Sequence, residues 1–270
     1  MRVPIERGKP VAVNLTREKC RLARERLLRM HYESGVGHIG GNLSAIDSMM
    51  VVYHDHLGPQ DRFILSKGHS AGALYTTLWS LGRLTDEDLR TFHQNDTRLP
   101  GHPPVHGIPE IPFATGSLGH GLSLAAGTAL AFRFKGEPGQ VYCLTSDGEW
   151  QEGSTWEALI FACHHALGNL TILIDCNGLQ GFGSTQDVAS MGNLWERLAG
   201  FDAEIVRVPG HDIERIDEAL RGNRAGRPRI LALETVKGSG VEFMQDRMEW
   251  HYLPMSADQY AQALDAIRRS

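Results

Sequence analysis

No run of apolar residues in this chain approaches the roughly 18 that a membrane helix requires. Excess basic charge is missing too: 27 Lys and Arg stand against 32 Asp and Glu, for a net charge of −5. A nucleic-acid surface would need a basic patch or stripe, so neither membrane nor nucleic-acid partners are expected. The N-terminus carries Arg2, Glu6, Arg7 and Lys9 without an apolar h-region, which argues against a secretory leader and for a cytoplasmic protein. Cysteine is scarce. Cys20, Cys143, Cys163 and Cys176 stand singly, with no CxxC pair and no zinc spacing. Cys143 and Cys176 lie in apolar runs, where a free thiol behaves as a small hydrophobe.

The chain does have 41% hydrophobic and 22% charged residues over 270 positions, the composition of an ordinary globular protein. That length suits one large α/β domain spanning 1–270. The 30 glycines gather at a few punctuated places, and several of the 13 histidines stand beside them.

Periodicity predicts a first helix from Thr16, with Cys20, Ala23, Leu27 and Met30 on its apolar face. It ends at the glycine-rich segment 34–41, after which Ser44 is expected to cap a helix through Ala45, Met49, Met50 and Val52. Residues 62–65 form a short buried strand that feeds Ser66-Lys67-Gly68-His69-Ser70 and a helix ending at Gly82. Thr85 and Asp88 make a capping-box variant. Residues 98–112 hold five of the 12 prolines and form a loop. The alanine-rich stretch 121–134 is apolar almost all round, which predicts a fully buried helix. Strands follow at 141–145 and 170–174 around a helix at 154–167 that buries Trp156, Leu159, Ile160, Cys163 and Leu167. Two more strands, 203–208 and 230–234, flank a helix at 212–221. Buried strands alternating with helices imply a three-layer fold, a parallel sheet with helices on both faces.

In such sheets ligands bind beyond the carboxyl ends of the strands. One strand end here runs into Ser146-Asp147-Gly148-Glu149-Trp150-Gln151-Glu152-Gly153, another into Asp175-Cys176-Asn177-Gly178-Leu179. Asp147 and Asn177 are thirty positions apart, one strand–helix–strand unit, which brings both to the same edge. A carboxylate, an amide oxygen and a backbone carbonyl there are hard ligands suited to Mg²⁺ or Ca²⁺, with phosphate oxygens and water completing the shell. Gly148 and Gly153 permit close backbone approach, and a helix start favours a diphosphate. Alone, an Asp-Gly is a turn and an Asn before Gly178 equally so. No Gly-x-Gly-x-x-Gly follows the first strand, against a dinucleotide site.

Asp147-Gly148, then Glu152-Gly153, then Asn177 resemble the thiamine diphosphate motif. Ser66-Lys67-Gly68-His69, Gly101-His102-Pro103 and 115–121 resemble transketolase segments in the same order. Gly37-His38 and Lys237-Gly238-Ser239-Gly240 with His251 do likewise, and the likeness covers roughly 16–265. It implies the thiamine diphosphate-binding fold of the transketolase N-terminal domain, and the wording 37–41 is similar to the split class. The pyrimidine-binding and C-terminal domains are then expected on a separate chain, in an α₂β₂ heterotetramer. The implied reaction moves a two-carbon ketol unit from a ketose to an aldose, with sugars or sugar phosphates as substrates. Without the partner the chain is expected to be catalytically silent. The alternatives are transfer onto a specialised acceptor and a non-catalytic, regulatory role.

By that resemblance Asp147, Asn177 and the carbonyl of Leu179 would hold the metal. Contacts to thiamine diphosphate would come from His69, Gly116, Ser117 and Leu118, and from Asp147, Gly148, Glu149, Asn177 and His251. His38, His69 and His102 match histidines lining the donor-sugar channel, where imidazoles bond hydroxyls and move protons. His251 matches a histidine near diphosphate and substrate. Glu152 and Glu157 match a carboxylate proton relay between cofactor sites, although either also suits a helix N-terminus. A histidine beside glycine is otherwise an ordinary loop residue. The sequence departs from the family pattern at Ser146, His120, Cys176 and Ser239, where glycine, glutamine, asparagine and lysine are commoner. These changes leave the metal ligands in place and bear on the substrate side.

Overall fold

A computed structural model describes residues 15–221 and 226–269; the N-terminal residues 1–14 discussed above lie outside the described residues. Thr16 caps the first helix, α1 (Arg17–Ser34), its hydroxyl accepting from the Lys19 N–H, and Gly35 ends it in the left-handed conformation. Next come α2 (Ile39–Val51), β1 (Arg62–Leu65), α3 (Ala71–Ser80) and α4 (Asp86–Arg90), the last opened by the capping box of Thr85 and Asp88. The chain continues through α5 (Gly121–Lys135), β2 (Val141–Ser146), α6 (Gly153–His164) and β3 (Leu170–Cys176). A small hairpin, β4 (Leu179–Gln180) and β5 (Gly183–Ser184), leads to α7 (Thr185–Ala189) and α8 (Leu194–Leu198). Finally β6 (Glu204–Pro209), α9 (Ile213–Arg221), β7 (Arg229–Glu234) and α10 (Ala257–Arg269) complete the order.

Five strands form one parallel sheet in the order β1-β2-β3-β7-β6. Their side chains alternate between two cores. Phe63, Leu65, Tyr142, Leu144, Leu173 and Leu231 face one side, under α1, α2 and α3. Ile64, Val141, Cys143, Ile172, Ile174 and Ile230 face the other, under α5 and α6. Burial on both faces is why these strands read as continuous apolar runs, and the expected three-layer architecture is the one observed. Among the described residues, no helix is long and apolar enough to cross a membrane.

Three local expectations need correction. Ser44 does not cap α2: the helix starts at Ile39 with His38 as N-cap, and Ser44 is buried inside it. Gly40 and Gly41 belong to the helix because the site packs against it there; a Cβ on Gly40 would lie 3.1 Å from Lys237 Cγ. The α5 helix is not buried all round. Ala125, Ala129 and Phe132 face the sheet, but Ser123 and Gly127 are exposed and Phe134 is 79% exposed. On α6, Leu159 is buried as expected, and Leu167 just beyond the helix is too, but Ile160 is 56% exposed and Trp156 and Cys163 are half-buried. Apolar residues occupy both faces of these two helices, and only one face packs within the chain.

The central strand sets the stability. Leu173→Ala, at a fully buried position, should cost about 2–5 kcal/mol, the range for truncating a core leucine. Urea unfolding should show a lower midpoint with an unchanged slope.

Candidate cofactor and active site

Four strand ends converge at the carboxyl edge of the sheet. From β1 the chain turns at Ser66 and Lys67, whose amides both bond the Leu144 carbonyl. Gly68 lies so close to the 115–116 backbone that a Cβ would sit 2.8 Å from it, so only glycine fits there. At the end of β2, Asp147 Oδ1 accepts from the Gly148 N–H (2.8 Å) and Oδ2 from the Gly178 N–H (2.6 Å). Asn177, just past β3, donates through Nδ2 to Ser44 and Asp175, which leaves Oδ1 to accept from the Leu179 N–H. The β2 and β3 strands are direct neighbours with Ser146 opposite Asp175, so the expected juxtaposition of Asp147 and Asn177 is present.

A cavity of ≈ 270 Å³ opens over these ends. His38, His69, His102 and His251 line it. Their rings form a cluster, with His38 centred 5.7 Å from His69, 6.1 Å from His102 and 5.1 Å from His251. His38 adopts a positive φ of 67°, which a non-glycine residue adopts at a cost, and its N–H bonds the His251 carbonyl. Burial, then the neighbouring His102, push the His38 imidazole down to about 4. Burial and Lys237 push His251 to about 3. Burial holds His69 well below, and His102 below, the ordinary range. All four rings are thus neutral near pH 7, each offering one donor and one acceptor, which suits hydroxyl groups better than anions.

Positive charge comes from two lysines. Lys67 is fully buried and its ammonium bonds Asp175 and the Gly41 carbonyl. Lys237 is 2% exposed and lies 3.0 Å from His251 Nδ1. The ammonium has only protons to give, so Nδ1 accepts and the remaining proton of His251 sits on Nε2. Burial and Lys67 push Lys237 down to about 8. Sequence reasoning gave neither lysine a role, although both sit in glycine-flanked segments just past strands. It also missed Asp175, whose carboxylate accepts from Ser44, Thr235, Lys67 and Asn177.

Most of the residues singled out from sequence meet here. Gly116, Leu118, Gly148, Asn177 and Leu179 line the cavity with the four histidines, and Asp147 stands between two lining residues. Ser117 lines an adjoining, larger cavity of ≈ 840 Å³ that shares His102 and Gly116 with the first. Glu149 is placed differently from expectation: it is fully buried, bonded by Ser66 Oγ and the Gly119 and Ser146 amides, and does not line the cavity. Burial raises its pKa, and those three donors work against the rise. It braces the strand ends instead of touching a ligand. Glu152 and Glu157 are exposed at the start of α6, outside the cavity.

The donor set fits a divalent cation carrying a diphosphate. Among the described residues no three His, Cys, Asp or Glu side chains form a metal cluster. The oxygens here are of the other kind: one carboxylate, one amide oxygen and one carbonyl, which leave coordination positions for phosphate oxygens and water. Burial, then the Asp175 charge, raise Asp147 to about 6 against the pull of the Gly178 and Gly148 amides, so its carboxylate lacks a cationic partner of its own.

The profile described as transketolase, thiamine diphosphate binding domain, matches residues 24–267. One of the two kinds of chain in a split enzyme, the A chain of the apulose-4-phosphate transketolase of Actinobacillus succinogenes, is 34% identical over 262 residues, covering 93% of this chain and 95% of that one. A 6-deoxy-6-sulfo-D-fructose transketolase subunit of a Clostridium species is 33% identical, covering 87% and 90%. The solved transketolase of Campylobacter jejuni superposes with a TM-score of 0.84 at 27% identity, covering 93% of this chain and 42% of that chain.

Charge on Lys237 should govern anion affinity with a definite sign. With pyrophosphate and Mg²⁺ as probe, the chain should bind roughly tenfold tighter than Lys237→Met at pH 7, the worth of one charge-assisted contact. The ammonium is lost as pH rises past about 8, so calorimetry at pH 9.5 should find that advantage greatly reduced. An advantage independent of pH would show that Lys237 does not face the anion.

Proposed function

The chain belongs to the transketolase family, and on that premise we propose that it is the thiamine diphosphate-binding subunit of a split transketolase that acts with a second chain. The supporting observation is the meeting, in one cavity, of an oxygen donor set, two lysines and four neutral imidazoles. Asp147, Asn177 Oδ1 and the Leu179 carbonyl would hold Mg²⁺, or Ca²⁺, and through it the diphosphate of the cofactor. Lys237 faces the same anion. Gly116 and Leu118 pack along its body, with Ser117 on the side of the larger cavity. When bound, thiamine diphosphate supplies the carbon nucleophile for the two-carbon unit.

The protein's own part is orientation and proton handling. His38, His69 and His102 bond hydroxyls of a ketose donor, and their depressed basicity keeps them able both to give and to take a hydrogen bond. His251, held by Lys237, presents its Nε2–H toward the cavity. Among the described residues no arginine lines either cavity. A charged far end of the sugar would therefore be met by the second chain. The two relatives named above act, by their names, on a sugar phosphate and a sulfonated sugar, and an anionic ketose is the substrate class proposed here.

The second chain is expected to carry the pyrimidine-binding and C-terminal domains and to seat on the open face of α5 and α6. Phe134 and Ile160 are exposed there, and Phe161 is 39% exposed. The larger cavity, lined by Ser117, His120, Ser123 and Leu124, continues that face. Glu152 and Glu157 border it, in keeping with a proton shared between sites of an α₂β₂ assembly.

Native mass spectrometry of the chain purified through an affinity tag from its own host, with Mg²⁺ present, should find a second, unlinked chain and bound thiamine diphosphate. Asp147→Ala should lose the cofactor while keeping the fold. Gly127→Trp, at a position where an added Cβ meets nothing within 4 Å, should lose the second chain while its circular dichroism is unchanged. A lone chain that takes up no added cofactor would overturn the reading.

A further inference from the structure

Behind the cavity, on the α1–α2 side of the sheet, a buried polar network holds the segment that carries Lys237. Asp47 of α2 is 4% exposed and Arg24 of α1 is 8% exposed. The guanidinium grips the carboxylate through Nη2 (2.5 Å) and Nε (3.3 Å), and His211 Nδ1 lies 2.9 Å from the same carboxylate. Two arms run from this cluster to the loop after β7. His211 Nε2 accepts from the Val236 N–H at 2.9 Å, and Arg24 Nη1 donates to the Ser239 carbonyl at 3.0 Å. Those contacts fall on either side of Lys237, and both engage its backbone neighbours, not their side chains.

The hydrogen-bond pattern fixes the state of the ring. A backbone N–H can only donate, so Nε2 must be bare, and the ring's proton sits on Nδ1, pointed at Asp47. The imidazole is neutral, with both nitrogens used. Asp47 orients it as a carboxylate orients a histidine that must present one chosen nitrogen. A bond from the Gly238 N–H to the Gly40 carbonyl and one from the Asp246 N–H to the Lys237 carbonyl complete the pinning. Only then does the lysine side chain run past Gly40 to reach His251.

We propose that Asp47, His211 and Arg24 are positioning residues, which act through the backbone of Val236 and Ser239 to aim the Lys237 ammonium at the diphosphate. The proposal rests on the cofactor reading above. It also accounts for the serine at 239 where the family often has lysine: Arg24 reads the carbonyl at this position, which any residue supplies.

The test is a double-mutant cycle on the full chain, purified with whatever second chain it retains, using thiamine diphosphate with Mg²⁺ and calorimetry. His211→Phe removes both bonds and should weaken binding about tenfold, as loss of the Lys237 contact would. In the Lys237→Met background the same change should cost less than about twofold, because the two act as one unit. His211→Gln, which restores an acceptor for Val236, should recover binding to within about threefold of the parent. Equal losses in both backgrounds, or no rescue by glutamine, would overturn the coupling while leaving the cofactor reading intact. Failure of the unmodified protein to bind would remove that reading and the proposal with it. Independently of any ligand, ¹⁵N spectra of the histidine rings should show His211 protonated at Nδ1 alone; a proton on Nε2 would overturn the proposal even if every variant failed to fold.

Discussion

The ion pair between Lys67 and Asp175 ties together every element that reaches the site. Both side chains are out of solvent. Burial pushes Asp175 upward, but Lys67, Ser44 and Thr235 outweigh it and keep the carboxyl below its ordinary range. Through those partners one carboxylate joins the ends of β1, β3 and β7 to the middle of α2, and its bond from Asn177 sets which way that amide faces. Two charges taken from water gain little net stability from each other. Removing either one leaves the other buried and unpaired, which costs about 3–5 kcal/mol. Such a pair therefore holds geometry more than it adds stability.

From that hub the site divides into parts of different character. Toward the metal position the groups are oxygen donors on a backbone fixed by short bonds. Toward the substrate side they are imidazoles made neutral by burial and by each other. Lys237 stands between, with its charge weakened by its surroundings but still present near neutrality. Neutral rings around a cationic floor give a cavity that accepts a polyanion at one end and a polyol at the other.

The open face of α5 and α6 belongs to the same arrangement. A helix rich in alanine and glycine can lie close against the sheet on one side and close against another chain on the other. Phe134 and Ile160 cover nothing in this chain, and the larger cavity begins beside them. A site walled by one chain on one side only is what one component of a heteromeric enzyme should present.

Much of this was legible in the order of residues. Strands with apolar runs, helices with periodic faces, and the Asp147 and Asn177 turns follow from local patterning, and so the sheet, its layers and the edge that carries chemistry could be derived. The caps at Thr16 and Thr85 were local as well. Ser44 failed as a cap because its hydroxyl answers to Asp175, 131 positions away. Glu149 failed as a ligand contact because the strand ends of β1 and β2 needed an acceptor for Ser66, Gly119 and Ser146. Lys237, Asp175 and the Asp47–His211–Arg24 network had no sequence signal beyond a charged residue near a glycine or an apolar run. Periodicity and turn chemistry act over a few residues, so sequence alone determined which segments fold and which strand ends face a ligand. Which buried charge meets which partner, and which apolar face stays open, is decided by contacts between segments more than a hundred residues apart, and only the tertiary structure brings those together.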